Sequence, residues 1–190
     1  MKLELKKYTP DNYKGSLLCI NILDFGQVIS NKEAFKVGQK MINLMKEENG
    51  QGLAANQVNI LSPIIVMNIN GKPKILYRPV LQSYTRKYDI YKEGCLSFHG
   101  LALEVARPLA VIFSAVYRPN GKRKTFSLSG QEAQVFMHEY EHLLGVTIVN
   151  HMKTQFEFTA VTDPDTKIRG YNKEREELLK IDNNGFGDGS

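Results

Sequence analysis

The sequence predicts an α+β domain in which antiparallel β-hairpins and sheets surround one central helix. Three observations carry this reading. Two turn signals, Asn70-Gly71 and Pro119-Asn120-Gly121, each stand between runs of β-forming residues. Two stretches of helical periodicity open on capping-box patterns, Ser30 with Glu33 and Ser129 with Glu132. The second of these, AQVFMHEYEHLL, is apolar on more than one side, which marks a helix with strands on both flanks.

In chain order, the first helix covers Ser30 to Gly50. Its apolar Phe35, Met41, Ile42 and Met45 recur at helical spacing, and Asn49-Gly50 ends it. From Ile60 to Leu128 the chain is β-like: PIIVMNI and KILYR flank the first turn, VIFSAVYR and KTFSL the second. Gly145 stands where a C′ glycine belongs at the end of the second helix. A short charged helix, NKEREELLKI, then precedes DNNGFGDGS, a tail expected to fray. No repeat or break in composition divides the chain, so residues 1–182 are expected to form one domain and residues 183–190 a flexible tail.

At 190 residues, with 42% hydrophobic and 24% charged, the composition is that of a globular domain able to bury a core. The net charge of +5 is mild and its 20 acidic residues are interspersed with 25 basic ones, which argues against specific nucleic-acid binding. The densest basic run, Arg118 to Lys124, surrounds the Pro-Asn-Gly turn and reads as a solvated hairpin tip. The N-terminus lacks the apolar region of a secretory signal, and no segment is long and apolar enough to span a membrane. With only two cysteines, Cys19 and Cys95, the default setting is a reducing cytoplasm. An organelle or a phage-infected host cell is compatible with the same features.

The chemistry concentrates in FMHEYEHLLG. His138 and His142 are one helical turn apart and project from one face, as two metal ligands would. Glu139, offset by about 100°, points beside that face, where it can take a proton from water without ligating the metal. The plain alternative is a helix with two incidental histidines. A third ligand decides what kind of site this is. The protease pattern H-E-x-x-H-x-x-G-x-x-H is followed through Gly145, but Ile148 stands at the last histidine, and His151 comes three residues too late. Glu157 follows too closely to act as the glutamate ligand of a later helix. Cys95 and His99 remain, both in EGCLSFHG, and a thiolate is the better ligand for iron or zinc. Two imidazoles and one thiolate leave a fourth position open for water, as a catalytic site requires.

Three separated stretches are similar to the motifs of the peptide deformylases. GQGLAANQV (Gly50 to Val58) matches their G-x-G-L-A-A-x-Q, EGCLS (Glu93 to Ser97) matches their second motif, and HEYEH matches H-E-x-D-H except at one position. The order agrees too, and the resemblance covers residues 30 to 152. It implies a deformylase-like fold and a catalytic domain that removes the N-formyl group from the initiator N-formylmethionine of nascent polypeptides, releasing formate. It implies one divalent metal per chain, Fe(II) natively, with Zn(II), Ni(II) or Co(II) able to take its place. Cys95, His138 and His142 carry over as ligands, and Glu139 as the acid/base for the water that attacks the formyl carbon. The Gln57 amide and the Leu96 backbone N–H carry over as donors to the oxyanion, and Gly50, Gly52 and Leu53 as contacts for the substrate peptide. Glu93 and Arg107 are expected to pair and hold the cysteine loop. The partners implied are formylmethionyl peptides or nascent chains, with at most a weak ribosome contact, because the NKEREELLKI helix is mixed in charge.

The chain departs from the family pattern at three places. Glu141 replaces the aspartate of H-E-x-D-H, His99-Gly100 follow EGCLSF, and Met137 precedes the first histidine where glutamine is usual. Val135 and Met137 are candidates to line a pocket for the methionine side chain. Two other readings are a metallopeptidase built on the same H-E-x-x-H, which leaves EGCLS unexplained, and a non-catalytic binding protein, at odds with an intact Glu139, Gln57 and Cys95.

Overall fold

The structure, a computed structural model, describes residues 3–151. Asn70 (φ 51°) and Gly71 (φ 68°) both take the left-handed region, the two-residue turn whose twist matches its flanking strands. It joins β2 (Ile64–Ile69) to β3 (Lys72–Tyr84) in antiparallel register, with Ile69 opposite Lys72. The second turn signal joins β6 (Ala110–Val116) to β7 (Arg123–Ser129), with Gly121 at φ 83°. A short strand, β1 (Gly52–Ala54), completes a five-stranded sheet of order β1-β2-β3-β6-β7. A separate two-stranded sheet pairs β4 (Tyr88–Cys95) with β5 (Phe98–Pro108), so EGCLS forms the end of a strand and its turn.

Residues of β2 alternate between two apolar clusters. Ile64 and Val66 pack with Met41, Met45 and Leu53 on one face, and Ile65, Met67 and Ile69 with Phe113, Phe126 and Phe136 on the other. That explains the nearly unbroken apolar run PIIVMNI: both faces of the strand are covered. One cover is α2 (Asn31–Glu47), which packs on β2 and β3 through Ala34, Gly38, Met41, Ile42 and Met45, at helical period. The other is α3 (Gln131–Leu143), which touches β1, β2 and β7 on one side and β5 on the other. The expected helix between strands is therefore present, wedged between the two sheets. A short helix, α1 (Ile22–Phe25), adds Ile22 to the cluster under α3. Among the described residues no helix is long and apolar enough to cross a membrane.

Of the two capping patterns, the first forms its N-cap half: the Glu33 N–H donates to Ser30 Oγ at 3.2 Å. The second does not. Ser129 stays in β7, paired with Ala110, and Gly130 takes the cap position with φ 57° and no side-chain bond. Glu132 instead accepts from the backbone N–H of Asn70 at 2.6 Å, tying α3 to the β2–β3 turn. The strand ladder outcompeted the cap for Ser129. The charged helix expected at 172–181, Glu157 and the tail 183–190 lie outside the described residues.

The C-terminus of α3 closes as a Schellman turn. Val146 N–H donates to Glu141 O at 2.9 Å and Gly145 N–H to His142 O at 3.1 Å, with Gly145 at φ 77°. A Cβ there would sit 2.8 Å from the backbone oxygen of Cys19. Gly145→Ala should therefore lower the free energy of unfolding by about 1–3 kcal/mol. Urea unfolding measures this, and an unchanged midpoint would mean that the turn relaxes at no cost.

Candidate active site

Strand parity brings the site together. On β4, Asp89 and Glu93 share a face, and Arg107 on β5 stands opposite Asp89, so Arg107 and Glu93 project from the same side. That side meets the face of α3 that carries His138 and His142, whose rings lie edge to face at 5.0 Å. Arg107 grips Glu93 with one edge of its guanidinium, Nε to Oε1 at 2.7 Å and Nη2 to Oε2 at 2.8 Å. The expected pair forms. Glu93 Oε2 also accepts from His138 Nδ1 at 3.0 Å, which leaves the other ring nitrogen of His138 to face the cleft. Cys95 Sγ lies 3.3 Å from His142 Nε2.

The donor atoms of Cys95, His138 and His142 lie within 4.8 Å of one another, close enough to share one ion. This cluster suits a divalent metal on two further grounds. Burial, reinforced by the charge of His138, holds His142 well below the usual histidine range, in the neutral form a ligand needs. His138 is pushed the other way: burial opposes its charge, but hydrogen bonds to Cys95 and Glu93 outweigh it, so this point attracts positive charge.

Two carboxylates flank the cluster in contrasting states. Burial alone would raise Glu93, yet the charge and hydrogen bonds of Arg107, with those of His138, bring it down to about 2. Glu139 is raised to about 7, chiefly by burial, and its Oε2 has no hydrogen-bond partner among the described residues. Its carboxylate lies against Gly52, where a Cβ would sit 2.6 Å from Oε1.

The amide of Gln57 is held at both ends. Its Oε1 accepts from Ala54 N–H at 2.8 Å, and its Nε2 donates to Ser97 Oγ at 3.2 Å, 3.7 Å from Cys95 Sγ. Gln57 and Cys95 line a cleft of about 520 Å³ together with Gly50, Gly52, Leu96 and Glu139. Of the two pocket candidates, Val135 lines this cleft, whereas Met137 is buried in the cluster against the large sheet. His99 is exposed on the cleft wall and is not part of the Cys–His–His cluster. The side chain of Leu53 is buried against α2, away from the cleft, so only its backbone is placed to meet a ligand.

Sequence reasoning assigned no role to Ser97, which anchors Gln57, or to Asn56, whose amide donates to the backbone oxygen of His142. Membership of EGCLS and GQGLAANQ was the available signal for both. It also set His151 aside, although His151 bonds to Glu141 at 3.0 Å. No local spacing links those two across the end of a helix.

Glu93 has a folded pKa below its ordinary 4.5, so its contribution to stability is complete above pH 4.5 and is lost as the pH falls from there towards 2. Unfolding of metal-free protein at stepped pH should show stability declining through that window. Glu93→Gln should flatten the decline; an identical slope in the variant would detach the effect from Glu93.

A family model described as polypeptide deformylase matches residues 21–157. The peptide deformylase of Aquifex aeolicus is 38% identical over 133 residues, which is 66% of this chain and 76% of that relative. Among solved structures, the peptide deformylase of Thermotoga maritima superposes with a TM-score of 0.70 at 26% identity, covering 79% of this chain and 97% of the other. Peptide deformylase 1B of Arabidopsis thaliana does so at 0.71 and 29% identity over 93% of each chain. Because the family match runs through GQGLAANQ, EGCLS and HEYEH alike, this chain is a member of the polypeptide deformylase family.

Proposed function

We propose that this enzyme hydrolyses the N-formyl group from peptides that begin with N-formylmethionine, releasing formate, with Glu139 as the acid/base. The observation that carries the reading is the gathering of Cys95 on β4 with His138 and His142 within 4.8 Å, the two histidines on the helix that also carries Glu139. A divalent cation held by those three side chains, Fe(II) natively with Zn(II), Ni(II) or Co(II) as substitutes, would act as a Lewis acid on water and carbonyl.

The chain supplies the proton transfers. A carboxyl poised near 7 can both accept and donate near neutrality. Glu139 takes a proton from the water whose oxygen bonds to the formyl carbon, and returns it to the amine nitrogen as the C–N bond breaks. Charge gathers on the formyl oxygen, and the Gln57 amide and the Leu96 backbone N–H are the donors we assign to it. Because Ala54 fixes Gln57 Oε1, the amide nitrogen is directed at the cysteine side of the cleft without reorganisation. Among the described residues β1 ends the large sheet, paired with β2 on one edge only, so Gly50, Gly52 and the backbone of Leu53 can take a peptide as an added strand on the other. Such substrates are made in bacterial or phage-infected cytoplasm and in organelles, where any ribosome contact would be weak.

Formate release from formyl-Met-Ala-Ser tests this, using protein reloaded anaerobically with Fe(II) or Ni(II). Glu139→Gln should keep its metal and lose about two to four orders of magnitude in rate. Gly52→Ala should keep its fold and lose about 10²-fold in kcat, because the added methyl displaces the Glu139 carboxylate. No formate from wild-type protein holding one metal per chain would overturn the reading. Cleavage of an internal peptide bond would make the enzyme a metallopeptidase.

A further inference from the structure

The hydrogen bonds around Glu93 continue beyond the site. Glu141 Oε2 lies 2.6 Å from Arg107 Nη1 and 3.0 Å from His151 Nε2. Arg107 turns its remaining edge to Glu93, and Glu93 meets His138 Nδ1 at 3.0 Å. The five side chains make one buried line, imidazole–carboxylate–guanidinium–carboxylate–imidazole. One imidazole belongs to the Cys–His–His cluster. The other, His151, comes from the short turn Ile148–His151 that follows α3 and packs on β5.

We propose that His151 is a positioning residue for the reaction. It acts through Glu141 on Arg107, and through Arg107 and Glu93 on His138. Two carboxylates share one guanidinium, so each needs a further donor to settle in a single geometry within the interior. His138 is that donor for Glu93, and His151 is that donor for Glu141. A carboxylate only accepts, so Nε2 of His151 carries the proton. Glutamate at 141 fits this role: it has one methylene more than aspartate, and its Oε2 meets two donors that come from different elements. The pairing of Glu141 with His151 is thus one device, and the chain reversal at Gly145 delivers its second half.

This inference rests on reading Cys95, His138 and His142 as the metal site, and the test separates the two. Wild-type protein, His151→Ala, His151→Gln and Glu141→Asp are loaded with Co(II). The rate of metal loss to a chelator, the visible spectrum of the bound ion, and kcat and KM are then measured. His151→Ala should lose metal about 10–100-fold faster, with a changed spectrum and a lower kcat at unchanged KM. His151→Gln, whose amide nitrogen can stand where Nε2 stood, should behave as wild type. Glu141→Asp should resemble His151→Ala, and it carries the test should the alanine variant fail to fold. Metal loss and spectra unchanged in both His151→Ala and Glu141→Asp would overturn the inference, as would glutamine failing as badly as alanine. A wild-type chain that holds no ion on Cys95 and the two histidines would overturn the metal-site reading itself.

Discussion

The buried carboxylate of Glu93 is the point on which the rest of the site depends. It joins three elements: its own strand, β5 through Arg107, and the central helix through His138. Cys95 follows it by two residues on β4, so whatever holds Glu93 also sets the depth at which the thiol meets the helix. A buried ion pair of this kind adds little net stability over an apolar packing of the same volume, whereas removing one partner costs about 3–5 kcal/mol. Its value here is arrangement. The carboxylate chooses the face of His138 that turns to the cleft, and the guanidinium fixes the carboxylate.

A second carboxylate, Glu139, has the opposite environment on the adjacent helical position. Glu93 is matched by a guanidinium and an imidazole and is held at about 2, while Glu139 is buried, with one oxygen unpaired among the described residues, and raised to about 7. In the proposed reaction the first carboxylate is a fixed anion and the second carries the movable proton. Gly52 belongs to the same design. The edge strand and the helix approach so closely that the Glu139 carboxylate occupies the space a side chain would need.

Much of this was legible in the sequence because it is local. Helical spacing put His138 and His142 on one face, Asn70-Gly71 and Pro119-Asn120-Gly121 marked hairpins, and the unbroken apolar run of β2 reflects its two covered faces. Motif resemblance brought Cys95 and Gln57 to the same cleft. What was misread depended on competition or distance. Ser129 had the residue type of a helix cap but was committed to the β6–β7 ladder, and Glu132 went to Asn70. His151 meets Glu141 only after the chain reverses at Gly145, which no periodicity encodes.

Cys95, His138 and His142 are assigned as the ligands of one divalent ion. X-ray absorption at the metal edge of protein loaded with one equivalent of Ni(II) tests this assignment most directly. One sulfur and two imidazole nitrogens are expected in the coordination shell, with the sulfur lost in Cys95→Ser. A shell of nitrogen and oxygen alone in the wild-type protein would contradict it.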